Sequence, residues 1–476
     1  MSNQKRTKIV ATLGPASASE EILRQMILEG VDVFRVNFSH ADYETVKITI
    51  KTIRRLSEEL DRNIAILGDL QGPKLRVGVM KEEVVVQPGD ELSFCTGKEF
   101  EGSRHRVYMN YDQFPKDVKA GERILLDDGK LIFEVLETNK IDEVKVMVIQ
   151  GGPLRSKKGV NLPKTDLSLP ALTAKDKEDA IFAIEQQVDW IALSFVRRAE
   201  DLKELQALIE AHSEYKIPII AKIEKPEAVL NIESIVAHCD GLMVARGDLG
   251  VEVPAEEVPL IQKELVLTAK RARIPVIIAT QMMETMITSL TPTRAEVNDV
   301  ANSVMDGADA VMLSGETSVG NYPVAVIKTM AKILRTVENS ELIIVPQEPP
   351  QVKTNRYITK SVCYHAAHMA NEIEAKAICT LTNSGYTAFQ ISAWRPSAFI
   401  LAFTSNKRIL ARLNLLWGVK AFYYDKYVST DETVDDVNRI AFENGFVFKG
   451  DYLINLAAMP IASKGMVNTL RISQIK

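Results

Sequence analysis

The apolar positions of the chain follow two alternating periods. Short runs of mostly apolar, often β-branched residues recur at 7–13, 31–36, 64–69, 190–195, 217–223, 241–245, 275–279 and 310–313. Runs that are apolar on consecutive positions, rather than on every second one, suit parallel strands buried on both faces. Between them apolar residues recur at helical spacing. Ser19 stands before Glu20 and Glu21, and the periodic stretch that follows stops at Gly30, which gives a helix both of its ends. Thr173 with Asp176 reads as a capping box with Asp in the usual Glu position, and Pro292 sits where a first helical turn tolerates proline. Eight strand–helix units spread over roughly 250 residues predict a (β/α)8 barrel of the TIM type. A doubly wound open sheet is the rival that periodicity leaves standing.

One unit is interrupted. Between the third and fourth runs, residues 84–90, 124–130 and 144–149 carry strand–turn signals, the last followed by Gly151-Gly152-Pro153. They predict a small β-barrel domain inserted in a βα loop at the top of the barrel, where an insertion is a candidate lid. Past residue 334 the pattern loosens, and Pro346-Gln347-Glu348-Pro349-Pro350 reads as a linker. Helical and strand patterns then resume at 358–370, 377–381, 387–393 and 398–403. The predicted fold is α/β throughout. Residues 1–71 and 168–343 form the barrel, 72–167 the inserted lid, and 344–476 a C-terminal α/β domain.

Composition narrows the function without naming it. The chain has 476 residues, with 46% hydrophobic and 25% charged, as in ordinary soluble domains. Its formal charge of -5 gives no support to nucleic-acid binding. Cys95, Cys239, Cys363 and Cys379 lie far apart with no CxxC pair, so neither a disulfide framework nor a zinc site is expected. The opening Met1-Ser2-Asn3-Gln4-Lys5-Arg6 is polar and lacks a signal-type apolar core. No apolar run approaches the ~18 residues of a membrane span. A cytoplasmic protein with no membrane partner is expected.

Polar residues at the C-terminal ends of barrel strands are where catalytic groups sit in this architecture. The second run ends Arg35-Val36-Asn37-Phe38-Ser39-His40, and alternation puts Arg35, Asn37 and Ser39 on one face. The fifth ends Lys222-Ile223-Glu224, whose Lys222 and Glu224 also share a face, the sixth Arg246-Gly247-Asp248, whose Arg246 and Asp248 share one, the seventh Thr280-Gln281 and the eighth Ser314-Gly315-Glu316-Thr317. Alone, each has a plain structural reading: Lys222 beside Glu224 as an ion pair filling a barrel layer, Asp248 after glycine as a turn or cap. Together they put cations, carboxylates and hydroxyls at one rim. Glu224 and Asp248 are hard oxygen ligands suited to Mg²⁺ or Mn²⁺ with substrate oxygens, and Lys222 and Arg35 suit a phosphoryl group. The set fits phosphoryl transfer or enolate chemistry.

These motifs, with Thr7-Lys8-Ile9-Val10-Ala11-Thr12-Leu13-Gly14-Pro15-Ala16-Ser17, Ser156-Lys157-Lys158-Gly159-Val160-Asn161, Ile220-Ala221-Lys222-Ile223-Glu224-Lys225-Pro226-Glu227 and Ala279-Thr280-Gln281-Met282-Met283-Glu284, resemble pyruvate kinase from end to end. The resemblance implies transfer of a phosphoryl group from phosphoenolpyruvate to ADP. It implies that Lys222 bridges that group and steadies the enolate oxygen, that Arg35 binds phosphoryl oxygens, and that Glu224 and Asp248 hold the divalent ion. It puts the backbone at Arg246 and Gly247 on the substrate carboxylate, with Thr280 near it and near the proton-delivering water. Asn37, Ser39, His40, Arg76 and Lys158 would line the nucleotide side. A homotetramer is implied as well. The alternatives are another metal-dependent barrel handling phosphoenolpyruvate or pyruvate, and a non-catalytic effector-binding relative.

Two stretches bear on regulation. Potassium-dependent members of the family carry Asp-Thr-Lys-Gly-Pro-Glu after the third strand, whereas this chain has Asp69-Leu70-Gln71-Gly72-Pro73-Lys74. The resemblance is therefore to the potassium-independent branch. The Lys74 ammonium would replace the bound K⁺, with Asn37, Ser39 and Asp69 lining that place. In the C-terminal domain, Thr382-Asn383-Ser384-Gly385-Tyr386-Thr387 lies between strand and helix patterns. Hydroxyls and backbone N–H groups there, at Thr382, Asn383, Ser384, Gly385 and Thr387, can cradle a phosphate. Fructose-bisphosphate-regulated relatives often carry basic residues at the positions of Asn383 and Tyr386. A phosphorylated allosteric effector is expected, with a monophosphate favoured.

Overall fold

The computed structural model describes residues 4–476 except 82, 164, 166, 341, 342, 344, 352, 427, 428 and 460–465. The opening Met1-Ser2-Asn3 and the boundary position 344 lie outside the described residues. Eight parallel strands, Lys8–Thr12, Val33–Asn37, Ala65–Asp69, Trp190–Leu193, Ile219–Ile223, Gly241–Ala245, Val276–Ala279 and Ala310–Leu313, close into a barrel. The first strand pairs with the eighth from Lys8↔Ala310 to Ala11↔Leu313, so the sheet has no edge and the open-sheet rival falls.

Closure explains the lack of alternation. Ile9, Ala11, Phe34, Val36, Ile191, Ile219 and Val244 face out and pack under the helices. Val10, Val33, Leu67, Ala192, Ile220, Met243 and Ile277 face in. Both parities are buried, so both are apolar. One step of two further along, the inward positions become Thr12, Arg35, Asp69, Ser194 and Lys222, all buried. The same register that fills the barrel with aliphatic layers thus ends in a polar top layer.

The caps follow the sequence in two cases and correct it in one. Ser19 accepts the Ile22 amide, and Gly30 ends that helix at φ 122°, a conformation that favours glycine. Thr173 and Asp176 form the reciprocal capping box. The helix near residue 292, however, starts at Arg294 with Thr293 as its cap boxed to Glu296. Pro292 therefore precedes the cap instead of occupying the first turn.

The insertion is a six-stranded sheet in the order Val160–Asn161, Arg123–Leu126, Leu131–Thr138, Glu143–Gln150, Glu91–Cys95, Arg106–Tyr108, with a separate pair Gly152–Leu154 and Val84–Val86. It curls over Phe94, whose ring meets Phe114 and Phe133 edge-on at 6.1 and 5.3 Å. The C-terminal domain has five strands in the order Val419–Tyr423, Phe399–Thr404, Ala377–Leu381, Tyr452–Ala457, Thr469–Gln474, of which the last is antiparallel.

This domain plugs the bottom of the barrel. Leu415 joins the inward-facing cluster, and the Phe389 ring lies 6.2 Å from Trp190. Lys8 Nζ donates to the Val419 carbonyl at 2.9 Å. Arg395 of the C-terminal domain reaches Asp309 at 3.0 Å and the Gly307 carbonyl at 2.6 Å, while Lys270 pairs with the same Asp309. The four cysteines are buried and free. Among the described residues no helix is long and apolar enough to cross a membrane.

Candidate active site

Lys222 is the hub of the polar layer. Its Nζ lies 2.7 Å from Ser194 Oγ, 3.2 Å from Asp69 Oδ1 and 3.1 Å from Glu224 Oε1. Arg35 Nε donates to Asp69 Oδ2 at 2.6 Å, and its Nη1 donates to Thr12 Oγ1 at 3.1 Å. Burial alone would push Lys222 down, but Asp69 and Glu224 outweigh it and hold the ammonium above the ordinary lysine value. For Asp69, burial is outweighed by Lys222 and Arg35, which keep it below the usual carboxylate range. Glu224 is raised, by burial first and by the like charge of Asp248, against the pull of Lys222. The Phe195 amide donates to its other oxygen at 2.7 Å. Glu224 is buried and Asp248 half-buried at the same rim, and the repulsion within such a carboxylate pair is what a divalent cation would relieve.

The sixth strand stops at Ala245, and a helix, Arg246–Glu252, begins at once. Strand alternation therefore does not carry Arg246 and Asp248 to one face, contrary to the sequence expectation. The Arg246 side chain turns away to clasp Asp299 with two bonds, 2.6 and 2.8 Å, and donates to the Thr280 carbonyl at 2.7 Å. That leaves its backbone, with Gly247 and Asp248, at the rim. The Gly247 amide donates to Thr280 Oγ1 at 2.7 Å, and that hydroxyl donates to the Ala279 carbonyl at 2.6 Å. Thr280, Gln281 and Phe195 have φ of 69°, 54° and 54°. Positive φ is costly for a β-branched residue, and such strain concentrates at functional rims.

The eighth strand likewise ends at Leu313, and Gly315–Ser318 is helical. Glu316 is buried and accepts the Ser314 and Met283 amides, so it braces loops. Asn37 Oδ1 accepts the Ser39 amide at 3.2 Å, while His40 is exposed. Arg76 pairs backbone with Gly159, and Lys158 Nζ bonds Asp127 at 2.9 Å, all within the lid. Lys74 makes no ion pair with Asp69. It is exposed, pairs with no carboxylate among the described residues, and lines the lid–barrel cleft with Asp128, Asn161, Lys225 and Asp248. Asp69 is already taken by Lys222 and Arg35.

In the C-terminal loop, the Gly385 amide donates to Thr382 Oγ1 at 2.9 Å, and Gly385 takes φ 82°. The Thr387 hydroxyl bonds that of Thr380 at 2.7 Å, whereas Asn383 and Ser384 are exposed.

Sequence reading missed Ser194, the hydroxyl closest to Lys222, and Asp299, which fixes Arg246. Ser194 was within reach, because it lies next to last in the fourth apolar run, on the inward parity of Ala192. Asp299 had no signal, since it lies mid-helix, far along the chain from its partner.

A closed (β/α)8 barrel with a cation–carboxylate layer at its C-terminal rim, a β lid and an α/β base defines a barrel enzyme for anionic substrates. Two family models match: pyruvate kinase, barrel domain, over residues 4–327, and pyruvate kinase, alpha/beta domain, over 360–473. The chain is 43% identical to pyruvate kinase 2 of Synechocystis, over 99% of this chain and 80% of that one. It is 43% identical to a pyruvate kinase of Geobacillus stearothermophilus, with 99% and 81% covered. A crystal structure of a pyruvate kinase from Cryptosporidium parvum superposes with a TM-score of 0.92 at 32% identity, covering 99% of this chain and 96% of that one. The chain belongs to the pyruvate kinase family and is a phosphotransferase.

Proposed function

We propose that this rim transfers the phosphoryl group of phosphoenolpyruvate to ADP, breaking the enol O–P bond, forming a bond to the β-phosphate oxygen, and protonating the enolate to pyruvate. The observation that carries the reading is Lys222, a buried ammonium held charged between Asp69 and Glu224 with Ser194 fixing its third side. Phosphoryl transfer asks mainly for positioning and charge neutralisation. Lys222 and Arg35 supply both to the phosphoryl oxygens, and Lys222 continues to the enolate oxygen. Glu224 and Asp248 would hold Mg²⁺ or Mn²⁺, which neutralises phosphoryl charge when bound. The Gly247 backbone and Thr280 receive the carboxylate, and Asn37, Ser39, His40, Arg76 and Lys158 face the nucleotide. Lys158 must leave Asp127 to do so, which makes lid movement part of the cycle. The 382–387 loop takes a phosphorylated effector, the assembly is a homotetramer, and the domains divide at 71/72, 167/168 and 343/344.

Independence from K⁺ belongs to the same proposal. Leu70 is 1% exposed and its side chain offers no oxygen, and Lys74 lines the cleft with Asp248, from which lid closure can carry its charge inward. Activity in K⁺-free buffer with tetramethylammonium should match activity in KCl. The double variant Leu70→Thr/Lys74→Glu should become K⁺-stimulated. A steep KCl activation of the unaltered chain would contradict the reading.

A further inference from the structure

We propose that Ser194 is a positioning residue for the phosphoryl transfer: its hydroxyl, fixed by the Leu70 carbonyl, sets the direction in which the Lys222 ammonium points. The inference rests on the assignment of this rim to phosphoryl transfer. Ser194 follows the fourth barrel strand directly and is buried, with 2% of its surface exposed.

Charge alone does not aim an ammonium. It is a compact charge on a flexible four-carbon stem, so a carboxylate attracts it without fixing where its N–H groups point. Asp69 and Glu224 attract Lys222 in this way, at 3.2 and 3.1 Å, and each has a second partner. Asp69 holds Arg35 at 2.6 Å. Glu224 accepts the Phe195 amide at 2.7 Å and would turn to the divalent cation when that is bound. The Ser194 hydroxyl lies nearer to Lys222 than either carboxylate, at 2.7 Å.

Toward Lys222 this hydroxyl acts only as an acceptor. A serine has one O–H proton, and Ser194 donates it to the Leu70 carbonyl at 2.6 Å, so its lone pairs face the ammonium. Ser194 therefore directs the N–H groups of Lys222 and does not itself pass a proton to the enolate.

The anchor is part of the barrel wall. The Leu70 amide donates to the Ala192 carbonyl at 3.0 Å, which carries the Asp69↔Ala192 pairing one residue past the third strand. The Leu70 carbonyl then receives Ser194, two residues beyond Ala192. Gly72 packs against the same place: a Cβ added to it would meet the Ser194 Cβ at 3.0 Å and the Phe195 ring at 2.8 Å. Residues 70–72 lead into the inserted sheet, so the hydroxyl that aims Lys222 is seated on the segment from which the lid departs. An acceptor held on both sides in this way is preorganised before substrate arrives.

The test compares Ser194→Thr with Ser194→Val in the full chain. The two side chains are close in volume and differ in the hydroxyl, and Ser194→Ala is the smaller control. Losing a hydrogen bond to a charged group should lower kcat about tenfold to a hundredfold in Ser194→Val and Ser194→Ala, with KM for ADP unchanged within about twofold. Ser194→Thr should keep kcat within about threefold of the unaltered chain. Thermal unfolding of each variant confirms the fold, and if Ser194→Val does not fold, the comparison of Ser194→Ala with Ser194→Thr decides in the same sense. Equal kcat in the variants with and without the hydroxyl overturns the proposal, because packing and not hydrogen bonding would then set the rate. A loss confined to KM for ADP overturns it too, since it would place the effect in the lid. Failure of the unaltered chain to form pyruvate from phosphoenolpyruvate and ADP would sink the assignment of the rim itself, and the role of Ser194 with it, so the two failures are distinguishable.

Discussion

Lys222→Met should lower kcat by about 10³-fold or more while the chain stays folded. Methionine keeps the stem and removes the ammonium that bridges Asp69 and Glu224 at 3.2 and 3.1 Å. The fold survives because Asp69 retains Arg35 at 2.6 Å. Glu224, already raised by burial and by Asp248, can take up a proton in place of its lost partner. A coupled pyruvate assay, with circular dichroism to confirm the fold, checks both halves. Turnover close to that of the unaltered chain would show that the charge at position 222 is structural.

The second large effect is on stability and lies at the opposite end of the barrel. Asp309→Asn should cost about 3–5 kcal/mol, because it leaves Arg395 and Lys270 buried without their carboxylate. Burial, then Arg395, push Lys270 down to about 7, and Asp309 is what raises it. The unfolded lysine titrates near 10.4, so between about 7 and 10.4 the unfolded chain binds the extra proton and this group's contribution to stability rises with pH. Without Asp309 the folded value falls further. The part of the deficit that Lys270 carries should therefore be greatest at acid pH and be lost as pH rises through about 7, leaving the unpaired Arg395 above it, so that the window to compare runs from pH ~5 to pH ~9. Urea unfolding across that range measures it. A variant with the stability of the parent at pH ~7 would mean that the domain junction does not depend on this cluster.

The barrel was legible because its strands are short, buried on both faces and punctuated by strong helix signals. Strands such as Gly241–Ala245 and Ala310–Leu313 coincide with the apolar runs. The C-terminal domain was only half legible. Thr469–Gln474 is a largely exposed edge strand with Arg471 and Ser473 in it, and its partnership with Tyr452–Ala457 is antiparallel, so it lacks the double burial that marks the others. At the site, the members on strands were readable through parity, as Arg35 and Lys222 show, whereas Asp69 entered only through the family resemblance. Parity failed where the chain leaves the strand. Arg246 and Asp248 sit on a helix that starts one residue after Ala245, and tertiary contact with Asp299 sets the direction of Arg246. The place of Lys74 was beyond sequence, because it depends on how the lid sits over the rim.

The most direct test of the central claim is the initial rate of pyruvate formation from phosphoenolpyruvate by the full chain in Mg²⁺, with and without ADP. Pyruvate should appear only with ADP, accompanied by an equal amount of ATP, and should vanish in Lys222→Met. Pyruvate released at the same rate without ADP would contradict the assignment of this rim to phosphoryl transfer.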